Sequence, residues 1–237
     1  MQPLFGSALL WNAVVGVVEV IYIFVVIGIM DKLVTKGFPS DLSRKVIHIA
    51  AGSYVIFWPL YDPTHWSKAF CVLMPMIWVL LFLSKGLANN REDQAVKTMT
   101  RTGNPRELLR GPLMFALVMV ILGLTLFNHM SAVIALGMLT WGDGLAPYFG
   151  GKYGKKRYRI WGQYKSYVGS VTVVLAGFIG SLLMIWITGT GTGLAVGLVA
   201  LLAFVAMIVE AISPRDLDNL LIPGAVLLVY FILAGSL

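Results

Sequence analysis

Four short stretches hold residues whose types and spacing could do chemistry. Trp141–Ser170 reads WGDGLAPYFGGKYGKKRYRIWGQYKSYVGS. It places Asp143 between Gly142 and Gly144 at the end of an apolar run, follows it with six Lys and Arg, and returns to apolar sequence. A carboxylate at the centre of a membrane span costs about 2.5–3.5 kcal/mol on insertion scales, and less near an end. The flanking glycines allow unusual backbone angles and close approach by a ligand or metal. Pro147 and Gly150–Gly151 are expected to weaken the helix beyond them, and broken backbone at membrane depth is tolerated where it lines a polar cavity.

At the far end of this stretch, Lys165 and Ser166 precede the next apolar run. Ser166 reads as a helix N-cap, and free amides beside a lysine make an anion site. In SRKVIH, Arg44 and His48 stand four residues apart and share a helix face, with Lys45 on the adjacent flank. Arginine offers a planar fork for phosphate, and histidine a switchable donor; the same residues could simply be a positive anchor and a packed polar side chain. The fourth stretch, VEAISPRDLDNLLIP, carries Glu210, Asp216, Asp218 and Asn219. Short oxygen-bearing side chains suit Mg2+, which keeps several waters and borrows phosphate oxygens. Asp216 reads as solvated, while Asp218 and Asn219 stand at the mouth of a span.

The elements that must position these residues are membrane helices. The 237 residues are 58% hydrophobic and 12% charged, with mean hydropathy +0.84, against about a quarter charged in a soluble domain. Apolar runs of roughly 17–23 residues are long enough to cross a bilayer core of about 30 Å. They predict eight spans near Ala8–Met30, Leu42–Leu60, Ser67–Ser84, Gly111–Asn128, Ser131–Gly150, Gly169–Thr188, Gly193–Ile212 and Leu220–Ala234. With eight spans, 17 of the 18 Lys and Arg fall on one face and Lys68 stands alone on the other. The expectation is therefore an all-α polytopic helical bundle, one domain over residues 1–237, with the basic face cytoplasmic.

The net charge of +7 is explained by that orientation, so no nucleic-acid partner is expected. The single Cys71 excludes an intrachain disulfide. Glu19, in the middle of the first span, is either functional or a structural hydrogen-bonding group. His65 and His129 fall on the cation-poor side, and GTGTG at Gly189–Gly193 reads as a turn rather than a phosphate cradle. The long Lys85–Arg110 loop suggests a surface helix punctuated at Gly103-Asn104-Pro105. No basic-start signal peptide and no Arg- and Ser-rich transit segment is visible, so a bacterial inner or photosynthetic membrane is expected, with the active site cytoplasmic.

Carboxylates for Mg2+ and cations for phosphate on one face are what phosphoryl or nucleotidyl transfer needs. Neither a P-loop nor a protein-kinase signature is present. The motifs LSRKVIHIAAG, TRTGNPRELLRGPL, WGDGLAPYFGGKYGKKR followed by KSYVGS, and DLDNLLIP together resemble the phytol kinase branch of the polyprenol kinase family. The resemblance covers about Leu42–Pro223. It implies phosphoryl transfer from CTP (or UTP), with Mg2+, to a prenyl alcohol drawn from the membrane lipids. It departs from the family pattern at Tyr167, where a tryptophan is expected.

A more distant similarity is to CTP-using CDP-diacylglycerol synthases, in which a lipid phosphate attacks the α-phosphorus; their Lys-Asp and Gly-Gly-Asp-Arg signature is missing here. On the kinase reading, Asp143 and Asp218, with Asn219 and Glu210, hold Mg2+. Lys165, Ser166, Arg44, and Arg106 or Arg110 receive the phosphates, with Gly142 and Gly144 allowing close approach. His48, Glu210 or a metal carboxylate takes the alcohol proton. A lipid or anion transporter is the contrasting non-enzyme reading, weakened by the absence of repeat halves.

Overall fold

The computed structural model describes residues 6–93, 96, 99–100, 102–160, 162–191, 193, 196–214 and 216–234. These fall into two compact units, Met1–Asn128 and His129–Leu237.

In the first unit, α1 runs over Ala8–Thr35, its start capped by the Ser7 hydroxyl, which accepts from the Leu10 amide. At about 1.5 Å per residue it is longer than a bilayer core is thick. Its polar residues are tied to one loop: Asn12 donates to the Ser67 hydroxyl (2.9 Å) and accepts from the Asp62 amide (2.7 Å). One turn pair further along, the buried Glu19 carboxylate accepts from the Tyr61 hydroxyl at 3.0 Å. Of the two readings of Glu19, the described contacts are those of a structural hydrogen bond.

Helix α2 (Ser40–Gly52) continues as a 3-10 turn over Ser53–Leu60. A second 3-10 turn, Trp66–Val72, leads into α3 (Leu73–Ala88), and a third, Pro105–Leu109, into α4 (Gly111–Thr125). The surface helix expected over Lys85–Arg110 falls partly outside the described residues. Its punctuation is present: Gly103 has φ +73°, and the Asn104 side chain accepts from the Arg106 amide.

The second unit begins with one continuous helical rod of three pieces. These are α5 (Met130–Gly137), a π-helical segment (Met138–Asp143) and α6 (Gly144–Tyr153). A hairpin of β1 (Arg157–Ile160) and β2 (Gln163–Ser166) turns the chain into α7 (Tyr167–Thr188). Helices α8 (Val196–Ile212) and α9 (Asp218–Ala234) complete the unit. His65 and His129 each cap a helix, their Nδ1 atoms accepting from the amides of Ser67 and Ser131. Gly189, at φ +66°, ends α7 in the left-handed conformation, as a turn requires.

The all-α expectation is met but for the two-stranded hairpin, whereas the count of eight spans is not confirmed. Among the described residues, four helical stretches are long and apolar enough to cross a membrane: Ala8–Thr35, Trp66–Ala88, Pro105–Thr125 and Tyr167–Thr188. Two of the other expected spans are not uniform α-helices: Leu42–Leu60 changes from α to 3-10 at Ser53, and Ser131–Gly150 contains the π segment. The described parts of the last two apolar helices have 17 residues each.

The rod and α7 meet through glycines. A Cβ at Gly177 would lie 2.8 Å from Met138 Sδ, one at Gly137 would meet the Ser181 backbone at 2.7 Å, and one at Gly180 would lie 2.6 Å from Trp141 Cβ. Small residues let membrane helices approach closely where no hydrophobic driving force separates helix from lipid. Gly180→Ala is therefore expected to destabilise the protein by about 1–3 kcal/mol through overpacking. The check is a lowered thermal midpoint in detergent, and an unchanged midpoint would count against this packing.

Candidate functional site

The residues singled out in the sequence divide between the units. Arg44, His48, Arg106 and Arg110 belong to the first; Gly142, Asp143, Gly144, Lys165, Ser166, Glu210, Asp218 and Asn219 belong to the second.

In the first unit, Arg44 pairs with the exposed Asp41 and donates to the Thr100 carbonyl at 2.8 Å. The His48 ring stacks on Phe115, with centroids 4.2 Å apart. Arg106 and Arg110 are exposed, within and just after the Pro105–Leu109 turn.

The second unit gathers its candidates around the π segment. α7, α8 and α9 all pack against Met138–Asp143, so the end of α8, where Glu210 stands, and the start of α9, where Asp218 stands, come to one place. A π turn inserts an extra residue into the helical ladder and is found mostly at functional sites. Asp143 is its last residue, with right-handed helical backbone (φ −68°, ψ −34°).

Two expectations are corrected here. Gly144 takes ordinary helical angles (φ −56°, ψ −43°), and a Cβ at Gly142 would lie 3.0 Å from the Val173 carbonyl of α7. Gly142 thus gives α7 close access to the rod, and neither glycine adopts the unusual backbone foreseen. The helix is also not broken at Pro147. It runs on to Tyr153, and the irregularity lies upstream, in the π segment.

Lys165 does not stand free. Its Nζ donates to Glu210 Oε1 at 2.6 Å and to the Glu210 carbonyl, and both side chains are nearly buried, 14% and 12% exposed. The hairpin makes this possible. Strand alternation turns Tyr158 and Lys165, a facing pair in the register, to the same side. The Tyr158 hydroxyl is 2.6 Å from Ser170 Oγ, fixing that side against α7.

Ser166 is the N-cap of α7, as foreseen, accepting from the Gly169 amide at 3.1 Å. It also donates to the Gly150 carbonyl at 3.2 Å, and a Cβ on Gly150 would lie 2.7 Å from its Oγ. Its hydroxyl is thereby committed to joining α6 to α7.

Asp218 Oδ1 accepts from the Asn219 amide at 3.0 Å and from the Asn219 side chain at 3.4 Å. Asn219 therefore orients Asp218 at the head of α9, ahead of the apolar run that begins at Leu220. Burial first, and the Asp143 carboxylate second, push the Asp218 carboxyl up to about 7, against a smaller downward pull from Lys165. A carboxylate raised by a neighbouring carboxylate is favoured in its ionised form by a cation beside it.

Among the described residues no group of three or more His, Cys, Asp and Glu forms a closed metal cage. Mg2+ needs no such cage, since it is commonly held by one or two carboxylates while phosphate oxygens and waters fill its remaining positions.

A pH dependence follows. The folded carboxyl of Asp218 sits above its ordinary 3.8, so it favours the folded state fully at low pH, and that contribution is lost as pH rises through about 7. Mg2+ wants the ionised form. The rise in thermal midpoint on adding Mg2+ is therefore expected to be larger near pH 8 than near pH 6. Equal shifts at both would contradict the pairing of Asp143 with Asp218.

Comparison with known proteins adds the family. The chain is 30% identical over 240 residues to a probable chloroplastic phytol kinase of Zea mays, covering 97% of this chain and 79% of that one. It is 33% identical over 206 residues to probable phytol kinase 1, chloroplastic, of Oryza sativa subsp. japonica, covering 83% of this chain. The chain belongs to the phytol kinase family.

Phytol kinase 1, chloroplastic, of Arabidopsis thaliana is 28% identical over 206 residues, 83% of this chain and 67% of that one. The chain spans 65% of the rice phytol kinase's length, just under two thirds. No family model matches the chain, and no solved structure matches it. The resemblance read from the four motifs is thus borne out, and the relatives' names support a kinase.

They also correct the expected location. The expectation is a bacterial inner or photosynthetic membrane with a cytoplasmic site, whereas these relatives are named as chloroplastic proteins of plants. Loop charge reports which face is cation-rich, and says nothing of the compartment that the face meets.

Proposed function

We propose that this phytol kinase family member transfers the γ-phosphoryl group of CTP (or UTP) to the hydroxyl of a prenyl alcohol, giving the prenyl monophosphate, in a plastid membrane. The observation that carries the reading is the Asp143–Asp218 pair beside the Lys165–Glu210 ion pair, in a chain related to proteins named phytol kinase.

The proposed centre consists of second-unit residues. Asp143 and Asp218 would hold Mg2+, with Asn219 keeping Asp218 in orientation. Bound there, the ion would supply charge neutralisation for the nucleotide phosphates. Lys165 would place its ammonium on the phosphoryl group in flight, where positioned positive charge does most of the work of phosphoryl transfer. As the ammonium turns to the phosphoryl oxygens, Glu210 loses its partner and is free to accept the proton of the attacking alcohol. The ion pair thus favours Glu210 over His48 as the base. The long apolar helices let the prenyl tail arrive from the bilayer while the phosphates stay at the polar mouth.

The experiment supplies purified protein in nanodiscs with phytol, Mg2+ and each of CTP, UTP and ATP in turn, and quantifies phytyl monophosphate by mass spectrometry. Phytyl monophosphate from CTP or UTP is expected. None from any nucleotide would remove the kinase reading and leave vesicle transport assays as the next step.

A further inference from the structure

We propose that the outward face of the β1–β2 hairpin docks on the anionic headgroups of the surrounding bilayer. The hairpin has two unlike faces. Along β1 exposure alternates, with Arg157 and Arg159 outward and Tyr158 and Ile160 half-buried; along β2, Tyr164 is outward and Gln163 and Lys165 are half-buried. The inward face is used up, Lys165 on Glu210 and Tyr158 on Ser170.

Among the described residues, the outward face shows no such buried partners. Arg157 makes one long contact, from Nε to the Gly154 carbonyl at 3.4 Å. The Arg159 guanidinium lies 5.6 Å from the centre of the Tyr164 ring, its partner across the strands. Tyr164 is 70% exposed.

Three observations say what covers this face. First, the hairpin ends at Ser166, directly before α7, one of the helices long and apolar enough to cross a membrane. Wherever α7 enters the bilayer, the hairpin is at that entry. Second, Lys152–Ile160 contains five Lys and Arg and no Asp or Glu, so this segment is complementary to an anionic surface. Third, exposed tyrosines stand in the hairpin and at both its ends in sequence: Tyr164 is on the outward face, and Tyr153 and Tyr167 are 53% and 59% exposed. Tyrosine is enriched at the membrane–water interface because its ring sits among headgroups while its hydroxyl stays wet.

A nucleotide at Asp143 and Asp218 cannot be served by both faces of one strand pair. Alternation turns Arg157 and Arg159 away from the side on which Lys165 meets that centre. The outward cations therefore answer to headgroup phosphates, and the docked hairpin holds Lys165 at the level where a lipid-borne hydroxyl surfaces.

The test compares protein in nanodiscs of phosphatidylcholine with protein in discs that also contain phosphatidylglycerol. The reading is amide hydrogen exchange in β1 and β2. Juxtamembrane cations gain attraction at an anionic surface, so exchange is expected to slow by roughly tenfold with phosphatidylglycerol. High salt should erase the difference by screening. The double substitution Arg157→Gln, Arg159→Gln should abolish it, and Arg157→Lys, Arg159→Lys, which keeps the charge, should retain it. Equal exchange in both discs would overturn the proposal. So would protection that arises in phosphatidylcholine discs only when CTP is added, which would make the face a nucleotide surface. Neither result depends on whether the protein phosphorylates phytol.

Discussion

Asp143→Asn is expected to lower turnover by about two to three orders of magnitude while leaving a folded membrane protein. Asparagine keeps the shape of aspartate and removes the charge. Asp143 sits in ordinary helical backbone between α5 and α6, a conformation that asparagine also adopts. A second readout separates loss of charge from loss of fold. Asp143 is one of the groups that raise the Asp218 carboxyl. Its removal should move Asp218 ionisation to lower pH, and the pH dependence of Mg2+ stabilisation should move with it. Full activity in this variant would remove the centre of the proposed mechanism. Lost activity with an unmoved pH profile would mean that the two carboxylates do not share an ion.

The second large effect concerns Lys165. Lys165→Met leaves Glu210 nearly buried without its cation, and removing one partner of such a pair costs about 3–5 kcal/mol. The thermal midpoint should fall well below that of the unsubstituted protein, and turnover should be lost. Adding Glu210→Gln should recover most of the stability, because no charge is then stranded, yet should recover no activity. That split, stability restored and catalysis not, is the expected outcome of a double-mutant cycle read by thermal unfolding and by product formation. Recovery of both would make the ion pair structural and nothing more.

Much of this site was legible in the residues because the relevant signals are local. Ser166 stood directly before an apolar run, and it caps α7. Asp143 stands between glycines at the end of the π segment, and Asp218 with Asn219 at the start of α9 ahead of its apolar run. What could not be read is either long-range or has no compositional code. Lys165 and Glu210 are 45 residues apart, and no spacing rule joins a strand to the end of a distant helix. The π segment has no signature in Met138–Asp143, since its extra residue is accommodated by packing against α7, α8 and α9. The glycines show a related limit. Gly142 and Gly144 read as allowing unusual backbone angles, whereas Gly144 is helical and Gly142 lies against α7, a role that depends on a neighbour absent from the local sequence. The count of eight spans is not confirmed where apolar runs are short or change helix type, because hydropathy measures composition and not continuity of hydrogen bonding.

The central claim is transfer of a γ-phosphoryl group to a prenyl hydroxyl. Its most direct test uses the purified protein with Mg2+, phytol and CTP, labelled in separate reactions on the γ-phosphorus or on the cytosine. Label from the γ-phosphorus, and none from the cytosine, should appear in the lipid-soluble product. Cytosine label in that fraction, or its appearance when phosphatidate replaces phytol, would instead show attack at the α-phosphorus and contradict the kinase mechanism.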